Sequence, residues 1–133
     1  MTQVAAPAPH LRERRRWKAA LDDLADQIQS WAKARRWPVE RPSVELEERR
    51  LGKYRAPSLH VHTGNGALVV EPIARYVTAG DGRVDIYGLL HFRKLLLIRE
   101  KDAWKLYTED RIPWPLPWGE KAFVNLAEAL TAP

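Results

Sequence analysis

The sequence predicts an α+β fold: a long N-terminal amphipathic helix packed on an antiparallel β-meander of about five to seven strands, followed by a short C-terminal helix. Three observations predict it. Trp17, Leu21, Leu24, Ile28 and Trp31 recur at steps of four, three, four and three, which makes one apolar stripe on a helical wheel. From Val44 onward, apolar residues alternate with polar ones at the period of a half-buried strand. Gly64-Asn65-Gly66, Gly80-Asp81-Gly82 and Lys101-Asp102 punctuate that region where hairpins must turn.

The helix is expected from His10 to about Arg36, because Pro38 disfavours helical geometry at Trp37. Residues 1–9 form an Ala/Pro-rich lead without the apolar core of a signal peptide and are expected to be disordered, leaving 10–133 as a single domain. Pro38 to Pro42 reads as a linker. Val44 and Leu46 alternate with Glu45 and Glu47 in a first strand. After Pro57, Leu59 and Val61 face one way while His60 and His62 face the other. The return strand, Ala67 to Glu71, is apolar on both faces, and Pro72 implies a bulge or bend before Ile73 to Val77. Val84 and Ile86 alternate with Asp85 and Tyr87. Phe92 to Glu100 carries Leu95 to Ile98 and reads as a strand buried on both sides. Trp104 and Leu106 then alternate with Lys105 and Tyr107 in the last strand. The prolines of Pro113 to Trp118 forbid a helix or an interior strand, so an extended segment is expected. Glu120 to Leu130 closes the chain as a helix with Phe123, Leu126, Ala127 and Leu130 on one face.

With 133 residues, the chain can bury roughly two-thirds of the surface it exposes when unfolded. It has no cysteine, which excludes disulfides, thiolate zinc sites and a cysteine nucleophile and fits a cytoplasmic protein. No apolar run approaches the roughly 18 residues of a membrane span, so no membrane partner is expected. The net charge of +5 is uneven: from Arg12 to Arg41, nine basic residues stand against five acidic ones. Arg12, Arg14, Arg15, Arg16 and Lys18 crowd the helix start, where positive charge opposes the macrodipole. They read either as a binding surface for nucleic acid or an acidic partner, or as a solvated face.

Catalytic signals are sparse. His60-Val61-His62 is similar to the His-x-His of cupin-type metal sites, with Glu71 as third ligand. The spacing to Glu71 is too long for that motif and its downstream elements are missing, so these are read as surface histidines and no metal or cofactor is expected. Asp85 followed by Arg99-Glu100-Lys101 resembles the Asp…(Asp/Glu)-x-Lys core of restriction-type nucleases, where the acids hold magnesium. Here Arg99 occupies the position of the second acid, so Asp85 is expected to sit on the open sheet face or in an ion pair. Ser30, Ser43 and Ser58 lie in no nucleophile elbow, and the glycine clusters open no helix.

Trp17, Trp31 and Trp104 fall at core positions, whereas Trp114, Leu116 and Trp118 belong either to a lid over the sheet or to a contact surface. The function expected is a small non-enzymatic protein-interaction domain. Its contact surface would join the open sheet face, including Tyr87 and Tyr107, to Trp114, Leu116 and Trp118, and would take a protein partner or a second copy. The alternative is a nucleic-acid-binding protein that uses the basic N-terminal helix. A degenerate nuclease-like or metal-dependent enzyme ranks behind both.

Overall fold

A computed structural model describes residues 8–78, 80–90, 93–109 and 116–133. The elements are α1 (Ala8–Ala34), β1 (Val39–Glu40), β2 (Ser43–Glu48), β3 (Gly52–Pro57), β4 (Leu59–His62), β5 (Ala67–Ala74), β6 (Arg83–Gly88), β7 (Lys94–Glu100), β8 (Ala103–Thr108) and α2 (Glu120–Thr131). Six strands form one sheet in the order β1-β4-β5-β6-β7-β8, and β2 pairs with β3 in a separate hairpin. The α+β architecture is the one the sequence predicts, and every pairing among the described residues is antiparallel.

Several boundaries differ from expectation. The first helix begins at Ala8, two residues before His10, and residues 1–7 of the expected lead lie outside the described residues. It ends at Ala34 in a Schellman closure, in which the Trp37 amide donates to Ala32 O at 2.9 Å and the Arg36 amide to Lys33 O at 2.9 Å. The expected linker contains β1, which pairs Val39 with Val61. Strand β3 was not foreseen. It lacks β-branched residues, yet its alternation is clear once seen, with Tyr54 and Ala56 buried and Lys53 and Arg55 exposed. The irregularity expected at Pro72 is present as a register shift between Pro72 and Ala74. Phe92 and residues 110–115, which include Trp114, lie outside the described residues.

The core lies between the helices and one sheet face. Leu59, Val61, Leu68, Val70, Val84, Ile86, Leu97 and Leu106 share that face by register and are buried. Against them lie Trp17, Leu21, Leu24 and Ile28 of α1, and Phe123, Leu126, Ala127 and Leu130 of α2. Two aromatic groups mark the ends of this layer. Near the start of α1, the Trp17 and Trp104 ring centroids are 5.9 Å apart. At the other end Trp31 meets Trp118 at 5.6 Å and Phe123 at 5.9 Å, and Trp37 meets Phe123 at 6.3 Å. A hydrogen bond of 2.7 Å between Thr63 Oγ1 and Thr131 Oγ1 ties the end of α2 to the β4–β5 turn.

A polar chain fastens the β2–β3 hairpin to this frame. Trp17 Nε1 donates to the Tyr54 hydroxyl at 3.1 Å, and that hydroxyl donates to Glu48 Oε2. The same carboxylate accepts the backbone amides of Arg75 and Tyr76 at 3.0–3.1 Å. Arg14 Nη1 adds a bond to Leu51 O at 3.0 Å. No described helix is long and apolar enough to cross a membrane.

Candidate functional site

Because α1 and α2 both pack on one face, strand alternation sends a second set of side chains to the opposite face. His60, Val69, Glu71, Arg83, Asp85, Tyr87, Lys94, Leu96, Ile98, Lys105 and Tyr107 share it, and Glu71, Asp85, Leu96 and Tyr107 form one register row across four strands. Among the described residues no helix or strand lies over this face. Even so, Val69, Leu96 and Ile98 are each only 4% exposed. In register, Leu96 is flanked by Asp85 and Tyr107, and Ile98 by Arg83 and Lys105.

Asp85 stands at the centre, 1% exposed. A carboxylate so deep needs partners, and two cations supply them. Arg83 approaches as a fork, with Nε at 2.7 Å from Oδ1 and Nη2 at 3.1 Å from Oδ2, while Lys94 Nζ lies 3.2 Å from Oδ2. The Lys94 ammonium also sits 5.5 Å from the Tyr87 ring centroid. The Tyr87 hydroxyl donates to Glu71 Oε2 at 3.1 Å, and the Tyr107 hydroxyl to Glu100 Oε2 at 2.6 Å. Burial, and then the Glu71 carboxylate, pushes the Tyr87 phenol up; for Tyr107 the hydrogen bond to Glu100 is the leading cause. Both phenols therefore remain neutral donors at ordinary pH. The face is charge-balanced, with Arg83, Lys94 and Lys105 against Glu71, Asp85 and Glu100.

The sequence-derived candidates fall in different places. Tyr87 and Tyr107 share this face. Trp118 lies in the helix layer, edge to face with Trp31 and Phe123. Leu116 is 41% exposed and pairs with the outer edge of β8, its amide donating to Leu106 O at 2.7 Å. A cleft lined by Leu95, Leu106, Leu116, Pro117 and Leu126 opens beside it. Trp114 lies outside the described residues. Arg12, Arg15 and Arg16 are exposed at the start of α1, Lys18 is half-buried, and Arg14 is turned onto the hairpin carbonyls.

The two metal-type patterns do not converge. His62 Nε2 is 2.7 Å from Glu40 Oε1, and Glu71 is bonded to Tyr87. Asp85 faces the open side, whereas the Arg99 guanidinium lies 5.1 Å from the Trp104 ring in the helix layer. Among the described residues no group of three His, Asp or Glu side chains is placed to hold a metal ion. Sequence reasoning missed Arg83, Lys94 and Glu71 as partners of Asp85 and Tyr87. Arg83 shares Asp85's strand face at a spacing of two and was open to inference, whereas Lys94 and Glu71 come in only through cross-strand register. No family model, no curated protein and no solved structure matches this chain.

Proposed function

We propose that the protein is a small non-enzymatic binding module that docks a protein partner on the open face of its six-stranded sheet. One observation carries this reading: the face opposite both helices is uncovered by any described helix or strand and displays Tyr87 and Tyr107, each hydrogen-bonded to a carboxylate, beside the Arg83–Asp85–Lys94 ion pairs. Tyrosine held this way presents rigid, amphipathic area and loses little side-chain entropy on contact. Charge balance favours a protein surface over a polyanion. Strand addition is a poorer mode, because β1 has only two residues and Leu116 occupies the free edge of β8. The absence of cysteine from the sequence, and of a membrane-crossing helix among the described residues, goes with a cytoplasmic setting.

The experiment compares wild type with a Tyr87→Ser/Tyr107→Ser double variant, using affinity capture from the source lysate and sedimentation velocity of the pure protein. The expected result is a protein retained by wild type and weakened at least about tenfold by the double variant, with the melting temperature little changed. Self-association lost in the variant would make the partner a second copy. A monomeric wild type whose captured proteins are the same as those of the variant would overturn the reading.

A further inference from the structure

The Arg14 bond to Leu51 O brings the start of α1 onto the tip of the β2–β3 hairpin, a juxtaposition that sequence order conceals. A second bond, 3.5 Å to Lys53 O, spans the same turn. Arg12, Arg15 and Arg16 stand exposed on the same turns of α1 as Arg14, and Arg49, Arg50 and Lys53 stand exposed beside Leu51 on the hairpin tip. Arg75 joins them from the end of β5. The guanidinium carbons of Arg50 and Arg75 each lie 5.0 Å from the Tyr76 ring centroid, so one ring holds two cations in place. Glu48, the hairpin acid nearest this chain of contacts, is turned inward onto Tyr54 and the Arg75 and Tyr76 amides. Among the described residues no carboxylate pairs with Arg12, Arg15, Arg49 or Arg50, and the one ion pair at Arg16, to Asp102 at 3.8 Å, has both side chains about four-fifths exposed.

We infer that this corner, formed by α1 and the β2–β3 tip, binds the phosphate backbone of a nucleic acid. The surface is independent of the sheet face and differs from it in charge: Glu13, Glu47, Asp81 and Asp102 lie among its cations, but Arg12, Arg14, Arg15, Arg16, Arg49, Arg50, Lys53 and Arg75 outnumber them. Five of the six exposed cations are arginine, whose planar fork matches phosphate oxygens in pairs. Holding Arg50 and Arg75 against Tyr76 lowers the entropy lost when they meet an anion. An anionic membrane fits less well. A surface-binding element sets apolar side chains beside its cations, whereas the exposed Leu89 and Leu90 follow the far end of β6 from Gly82, the residue that touches Trp17. Backbone contacts of this kind carry no base readout, so binding is expected to be indifferent to sequence and strongly dependent on salt.

The test is fluorescence anisotropy with a short labelled DNA duplex and the matching single strand, over about 50 to 200 mM salt. Wild type is expected to bind at least one probe and to lose roughly 100-fold in affinity across that range, as neutralising about four phosphates requires. Arg12→Gln/Arg15→Gln and Arg49→Gln/Arg50→Gln should each shallow the salt slope by about 2, with unchanged circular dichroism. Lys33→Gln/Lys121→Gln removes the same charge elsewhere on the surface and should leave both affinity and slope as they are. No binding of either probe at the lowest salt would overturn the inference. So would equal loss in the Lys33/Lys121 variant, which would make the effect one of net charge, or binding of a polyglutamate peptide in place of both nucleic acids. Because Tyr87 and Tyr107 are intact in all these variants, failure here leaves the sheet-face reading standing, and the reverse also holds.

Discussion

Trp17 is placed by three contacts: its indole nitrogen on the Tyr54 hydroxyl, its ring against Trp104, and its edge over Gly82. A Cβ added at Gly82 would sit 2.2 Å from Trp17 Cζ3, so Gly82→Ala must move a ring that has nowhere to go. Overpacking of this sort costs about 1–3 kcal/mol. In a Trp17→Leu background the clash disappears, and a denaturation cycle should show strong non-additivity; additive costs would mean the ring is displaced at no expense. Burial, and then Glu48, holds the Tyr54 phenol above its ordinary value of 10.0. The unfolded chain therefore releases this proton at a lower pH than the folded one. Its contribution is complete below about pH 10 and is lost as pH rises toward the folded value. Urea midpoints should fall as pH rises above about 10, and less steeply in Tyr54→Phe. On the open face, Asp85→Ala leaves Arg83 and Lys94 without their anion. Both cations are about one-third exposed and can rehydrate, so the cost should be near 2 kcal/mol by thermal melting rather than the 3–5 kcal/mol of a fully buried pair.

At the scale of elements, α1 ends on an arginine in a glycine's conformation. Arg36 has φ 61° in the left-handed position of the Schellman closure, and its side chain is exposed. Arg36→Gly should stabilise the protein by up to about 1 kcal/mol and raise the melting temperature by a few degrees, because the Cβ strain disappears while both closing hydrogen bonds remain. A fall in melting temperature would place the value of Arg36 in its side chain. The same helix shows how far sequence carries. Its apolar stripe was legible because period 3.6 is a local property, and so were β4 to β8, whose alternating or continuous apolar runs are bounded by the Gly64–Gly66 and Gly80–Gly82 turns, Gly88 and the Lys101-Asp102 turn. Strand β3 was not, since Gly52-Lys53-Tyr54-Arg55-Ala56-Pro57 has weak strand propensity and becomes a strand through Tyr54's bonds to Trp17 and Glu48. Arg14 had the same fate. In sequence it is one of four arginines, and only the hairpin carbonyls of Leu51 and Lys53 distinguish it. Of the candidate surface, Tyr87 and Tyr107 were legible from alternation; Glu71 and Lys94 required register, and the basic corner required a tertiary contact.

Across the whole molecule, one apolar cluster runs from Trp17 at the start of α1 to Leu130 near the end of α2, taking in the hairpin through Leu51, Tyr54 and Ala56. Chain order places the hairpin between α1 and the meander, while packing places it beside the first turns of α1. The two proposed surfaces thus share a single frame, and strain at one end should reach the other. Phe123 tests this. It is fully buried and contacts Trp31, Trp37 and Trp118, at the end remote from the Trp17–Trp104 pair. Removing its ring deletes the centre of that aromatic group, and Phe123→Ala should cost about 3–5 kcal/mol. If the cluster unfolds as one unit, helical circular dichroism and tryptophan emission will fall at the same urea concentration in wild type and variant alike. A marker of the remote end, the protection of the Trp17 indole N–H from hydrogen exchange, will drop by the same free energy. Suppose instead that α2 only caps a self-sufficient sheet. Circular dichroism would then show a separate early transition in the variant, and Trp17 protection would be untouched. The continuity of the core through Leu97, Leu106 and Ile86, each at most 3% exposed between the two aromatic ends, favours the single transition.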